Sequence, residues 1–115
     1  MAKTNIIATI KTNNQCQTTK TLSIKTKEEY KYHEKDNTKV IFNYLDNYLK
    51  RDNEQMILEI NFIEKKETEA YYFIKELEKK LVLTIKTKRI LKKDRIIEIE
   101  YTIDKDNYIY RIEEI

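Results

Sequence analysis

The side chains best suited to chemistry gather in one stretch, Tyr30 to Tyr44, "YKYHEKDNTKVIFNY", which holds the chain's one histidine among tyrosines and acids. An imidazole titrates near neutral pH and can act as general base or metal ligand. An enzyme built here would bring His33 together with Glu28, Glu34 or Tyr44 in one cleft. Such a role needs a constellation, and one histidine with one distant cysteine offers no recognisable ligand spacing. The simpler reading of His33 is an exposed residue beside a turn. Cys16, the sole cysteine, falls in an expected hairpin loop and reads as an incidental thiol, not a nucleophile. With no glycine in the chain, a glycine-rich phosphate loop is excluded. The expectation is a protein that is not an enzyme and uses neither metal nor cofactor.

The elements that would position these residues are bounded by composition. A chain of 115 residues fits one domain, residues 1-115, large enough for a core of its own. Lys and Arg number 23 against 20 Asp and Glu, and the signs alternate instead of forming blocks, as on a solvated surface. A single cysteine cannot form an internal disulfide, which favours a reducing compartment. No apolar run is long enough for a signal peptide or a membrane span. A cytoplasmic protein with no membrane association is expected. Glycine and proline are both absent, so turns must draw on Asn and Asp, which tolerate the left-handed region. Asn13-Asn14, Asp36-Asn37, Asp46-Asn47, Asp52-Asn53 and Asp106-Asn107 punctuate the chain accordingly.

Between these pairs the dominant period is two, the mark of half-buried strands. In "LVLTIKTKRI" Leu81, Leu83, Ile85 and Thr87 share one face; in "RIIEIEYTI" Ile97, Ile99, Tyr101 and Ile103 do. Pairing Ile90 with Ile96 across a loop of residues 91-95 sets Lys88 against Glu98 and Lys86 against Glu100, with Ile85 meeting Tyr101. A loop of residues 104-107 then pairs Ile103 with Tyr108 and Tyr101 with Tyr110, and puts Arg111 opposite Glu100. In the opening stretch, a three-residue loop Lys35-Asp36-Asn37 with Asn37 left-handed pairs Tyr32 with Val40, Tyr30 with Phe42 and Glu28 with Tyr44. Upstream, "NIIATIKT" and "TLSIKT" form a hairpin over residues 13-18, with Ile6, Ala8 and Ile10 on one face and Leu22 and Ile24 on another. "MILEINFIE" is a further strand. Only "TEAYYFIKELEKKL" resists, because Ala70, Ile74, Leu77 and Leu81 recur at helical spacing and predict a short helix around residues 68-80.

These motifs resemble the YwiB-like small bacterial proteins, a domain of unknown function with a calycin-type antiparallel β-barrel. "LVLTIKTKRI" and "IEIEYTI" are similar to that family's paired strands at Leu81, Leu83, Ile85, Thr87, Ile90, Ile97, Ile99 and Tyr101. "YKYHEKDNTKVIFNYLD" is similar to its tyrosine-bearing hairpin, ending in Tyr44 and Asp46. The chain departs from the family where it has Glu28 and Glu29 in place of a glycine, and where an Arg-x-Gly near Asn61 and a Pro-x-Gly turn near residues 76-78 are missing. The resemblance implies strand, turn, strand for residues 68-80, against their helical period. It carries over no catalytic residue.

The expected fold is therefore all-β, a single antiparallel calycin- or lipocalin-like barrel of about eight to nine strands, mostly meander. Tyr30, Tyr32, Phe42, Tyr44, Tyr101, Tyr108 and Tyr110 point inward. They either fill the barrel as bulky core or line a pocket, since about eight strands leave an interior just filled or able to hold one small ligand. Filling is favoured by their bulk. Arg89 and Arg95, on the inward parity, are candidates for an anion-binding mouth, against the alternative that they reach out to water. The function expected is non-enzymatic binding of a small, partly apolar ligand or a protein partner. Nucleic-acid binding is the alternative, suggested by lysines interleaved with tyrosines and opposed by the acids set against those lysines. No residue pattern fixes an oligomeric state.

Overall fold

Strands that alternate apolar and polar need neighbours on both sides, and this chain supplies them by stepping round a barrel in sequence order. The computed structural model describes residues 2–115. It contains β1 (Ala2–Lys11), β2 (Cys16–Lys25), β3 (Glu29–His33), β4 (Lys39–Asn43), β5 (Tyr48–Asp52), β6 (Met56–Asn61), β7 (Glu67–Ile74), β8 (Lys79–Lys93), β9 (Ile96–Ile103) and β10 (Asp106–Glu114). Each strand is antiparallel to the next and β10 returns to β1, so the sheet closes into a meander throughout. Among the described residues there is no helix, and so none long and apolar enough to cross a membrane.

The barrel has ten strands, where eight or nine are expected from the sequence. The additional one is β5. Its inward positions are Leu49 and Arg51, and one apolar residue beside a cation does not announce a strand; both of its neighbours nevertheless pair with it along its length. The short helix that the spacing over residues 68-80 allows is not formed; the segment is strand, turn and strand, as the family resemblance implies. β7 is paired on both sides, with β6 and with β8, and those two ladders override the helical spacing of Ala70, Ile74 and Leu77. The chain reverses through residues 75–78, with Glu78 left-handed at φ 49°.

Glycine-free turns are made in several ways. Asn37, Asn47, Lys65, Glu78 and Asp104 all have positive φ. Asn43 and Asn53 instead fold their side-chain carbonyls back onto the amides two and three residues ahead, at 2.8–3.0 Å. Lys35 to Asn37 form the expected loop, and Tyr32 faces Val40, Tyr30 faces Phe42, and the Tyr44 amide donates to the Glu28 carbonyl at 2.9 Å.

Two registers differ from expectation. The β9–β10 turn contains only Asp104 and Lys105, so Tyr101 faces Tyr108 and Tyr110 faces Ile99, a shift of two residues that preserves the inward face. Arg111 accordingly faces Glu98 instead of Glu100. β8 runs on to Lys93, and a bulge between Thr87 and Arg89 changes its phase partway along. The expected Lys86–Glu100 and Lys88–Glu98 pairs do not form. Lys86 faces Thr102, while Lys88 donates to the Asn107 side chain at 2.9 Å. The Glu64 carboxylate accepts the Ile90 amide at 2.7 Å, holding the strand just past the bulge.

Candidate functional site: a filled interior and a free strand edge

The inward side chains pack the middle of the barrel. Ile6, Phe42, Leu49, Ile60, Phe62, Ile85, Ile99 and Tyr110 are fully buried and belong to one cluster. Tyr30, Tyr32 and Tyr101 are also buried, whereas Tyr44 and Tyr108 pack against the cluster from its margin. The rings make edge and stacked contacts: Phe42 with Tyr110 at 5.3 Å, Phe62 with Tyr101 at 4.9 Å, and Tyr101 with Tyr108 at 5.3 Å.

A polar cluster lies inside this apolar body. The Tyr32 and Tyr110 hydroxyls are 2.8 Å apart, and Glu34, with a side chain only 3% exposed, accepts from the Arg51 guanidinium. Burial raises the Tyr32 pKa, against the opposing effect of its bond to Tyr110; burial also raises Tyr101 and, well above the ordinary range, Tyr110. All three stay neutral phenols. Sequence reasoning missed Glu34 as an interior residue and missed Arg51 altogether. The signal for Glu34 was present, since it continues the inward alternation of Tyr30 and Tyr32.

The end of the barrel near the chain termini is held by Lys25, which donates to Glu114 at 3.0 Å and sits 5.2 Å from the centre of the Tyr30 ring. Burial works against its charge, but the bonds to Glu114 and Tyr30 outweigh it and the pKa is raised. Tyr30 donates to the same carboxylate, and Tyr44 to the Thr26 carbonyl at 2.6 Å.

Residues read as chemical candidates are dispersed. Glu28 precedes β3 and His33 ends it, roughly 17 Å apart at about 3.3 Å per residue, and His33 is exposed on the outer face. His33, Glu28 and Tyr44 therefore share no cleft. Arg89 is not at an interior mouth: the bulge turns it outward, where it bonds Glu98 at 3.1 Å. Arg95 lies in the exposed β8–β9 turn. Cys16 is the first residue of β2, not part of the loop, and is an exposed free thiol. Among the described residues no three His, Cys, Asp or Glu side chains gather as a metal site would require.

What the strand pattern leaves unfinished is an edge. β8 pairs with β7 from Lys79 onward but meets β9 only from Ile85. Lys79–Thr84 thus has a neighbour on one side only, along roughly 20 Å at about 3.3 Å per residue. Leu81 and Val82 in this stretch, and Leu77 in the turn before it, are exposed apolar residues. On β7, Tyr71 faces Val82 and Tyr72 faces Leu81, so partly exposed aromatic surface adjoins the edge on both faces of the hairpin. Natural proteins commonly protect such an edge with lysine. This edge begins with two exposed lysines, Lys79 and Lys80, and the Lys80 ammonium is folded back 4.2 Å over the Tyr71 ring on β7.

A second free edge provides contrast. β2 meets β3 only at Ile24 and Lys25, which leaves Cys16–Ser23 paired to β1 alone. This run is almost wholly polar, "CQTTKTLS". Its inward Thr19 and Ser23 are buried, while Leu22 and Ile24 face outward, the reverse of what their hydropathy suggests.

This geometry is shared with a known protein. Over 97% of this chain and 92% of the other, the barrel superposes on the crystal structure of the YwiB protein from Bacillus subtilis, with a TM-score of 0.60 and 18% sequence identity. The chain has the YwiB fold. Neither a protein-family model nor a curated protein matches the sequence. The YwiB likeness therefore bears on the closed ten-strand barrel and its strand order.

Proposed function

We propose that this barrel is a non-enzymatic, cytoplasmic binding protein, and that it holds a polypeptide by offering it the free edge of β8. The observation that carries this reading is the edge Lys79–Thr84, unpaired on one side and rich in exposed apolar side chains. An added strand would satisfy its backbone N–H and C=O groups while Leu81 and Val82 supply the contact surface, the mode by which sheet-edge recognition works. The polar β2 edge lacks the second of these features. A small ligand inside the barrel is supported less, since the inward tyrosines fill the space against Phe42, Phe62 and Ile99. The exposed unpaired thiol of Cys16 accords with a reducing compartment.

The test is photo-cross-linking in living cells, with the reactive group placed at Val82 in one variant and at Lys20, on the polar edge, in another. Adducts with polypeptide are expected at Val82 and not at Lys20. Their absence at both positions would remove the reading, and adducts that collapse on nuclease treatment would replace it with nucleic-acid binding.

A further inference from the structure

The edge also specifies what it can pair with. Resting on the reading of β8 as a polypeptide-binding edge, we infer that its partner is a second copy of this chain, the two β8 strands lying antiparallel about a twofold axis at Val82.

A strand added to Lys79–Thr84 takes the lane in which β9 lies further down, because β9 is the neighbour of β8 from Ile85 onward. Being antiparallel to β8, it enters with its amino-terminal end beside the β9–β10 turn. At that turn stand Asp104 and Lys105, followed by Asp106 as the first residue of β10, together a net charge of −1. The complement required is an extended segment with cations at its start and apolar residues after them. "KKLVLT", Lys79 to Thr84, is such a segment.

Symmetry narrows the register. A twofold axis through an antiparallel pair sets one residue opposite itself, and the contact is self-complementary. With Val82 opposite Val82 the paired stretch is Lys80–Thr84. Leu81 meets Leu83 and Lys80 meets Thr84, so no lysine faces a lysine. Lys79 falls beyond the pairing, next to Ile103, which already holds the place opposite Ile85. Parallel pairing of the two edges would set Lys79 and Lys80 beside their own counterparts. In the antiparallel register the outer face carries an unbroken row: Tyr71, Val82, then Val82 and Tyr71 of the second copy. The inner face carries Tyr72, Leu81, then Leu83 and Ala70 of the second copy. The position of Lys80 over Tyr71 keeps its charge out of the seam. The outcome is a continuous sheet through β6, β7 and β8 of both copies. A contact of this size belongs to the weak class of interfaces, so association is read at high concentration.

Because residue 82 faces itself, it can be tested by charge. Sedimentation equilibrium of the intact chain is expected to show a concentration-dependent dimer. Val82→Lys alone and Val82→Glu alone are each expected to sediment as monomers, since like charges then oppose one another. Mixing the two variants is expected to restore a dimer containing one of each, which neither an unfolded variant nor a contact elsewhere would produce. A wild-type chain still monomeric at about 1 mM, where an association worth about 4 kcal/mol is half complete, would overturn the inference. So would single variants that dimerise as wild type does, or a mixture that stays monomeric. Monomers combined with adducts from Val82 to a different polypeptide would overturn the second copy while leaving edge binding standing. Monomers with no such adducts would remove both.

Discussion

The β3–β4 and β7–β8 hairpins look alike in sequence and turn at the same end of the barrel, yet one is built into the core and the other stands clear of it. Both alternate, both carry tyrosine, and each reverses at a left-handed residue, Asn37 or Glu78. The difference lies in their neighbours. β4 is paired along its length by β3 and β5, and Tyr32, Val40 and Phe42 are buried. β8 outruns β9 by six residues, Lys79–Thr84, and there Leu81 and Val82 are exposed. Alternation states which face a side chain takes; only the reach of the adjacent strand decides whether that face is covered.

The largest expected contrast is in packing. Phe42→Ala should lower unfolding free energy by about 3–5 kcal/mol, and Val82→Ala should change it by no more than about 0.5 kcal/mol, as measured by denaturant titration of the monomer. Equal losses at the two sites would erase the distinction between the hairpins. Charge pairs sharpen it next. Arg51→Ala leaves Glu34 buried without its partner and should cost about 3 kcal/mol. Lys75→Ala, which removes the half-exposed pair with Asp52 beside the β7–β8 turn, should cost less than about 1 kcal/mol. Restoration of stability by the double change Glu34→Leu with Arg51→Met would show that the Arg51→Ala loss comes from the stranded charge.

The buried phenols of the core make stability depend on pH. Tyr32, Tyr101 and Tyr110 hold their protons more tightly folded than unfolded. Stability from them is therefore full below the unfolded tyrosine pKa, near 10, and falls as pH rises above it. Urea midpoints followed with tyrosinate absorbance should be level to about pH 10 and then decline, less steeply in Tyr32→Phe. A midpoint unchanged about one pH unit beyond that point would contradict the burial of these rings. The smallest contrast is in the turns. Glu78→Gly should raise stability by about 0.5–1 kcal/mol by relieving a left-handed glutamate, while Asn37→Gly should gain little, since asparagine accepts that conformation. Thermal melts of the two variants would register the difference.

Much of this barrel was legible as alternation. The β3–β4 hairpin could be read residue by residue, because its turn residue and its apolar partners agreed. The β8–β9 register could not, because a bulge at Thr87–Arg89 shifts it, and the residue just past the bulge is bonded by the Glu64 carboxylate, distant in sequence. β5 was hidden for a related reason: Arg51 fits an inward position only because Glu34 arrives from another strand. The free edge was unreadable in principle, since nothing local to "KKLVLT" says where β9 will stop. The period of two supplied the strands; what each strand lacks is a property of its neighbours.

The glycine-free turns have a consequence beyond geometry. Glycine loses more backbone freedom on folding than any other residue, so a chain without it begins from a narrower denatured ensemble. The left-handed backbones of Lys65, Glu78 and Asp104 raise the energy of the folded state locally, and the stiffer unfolded chain offsets that cost everywhere else. Stability here is set partly in a state that has no structure.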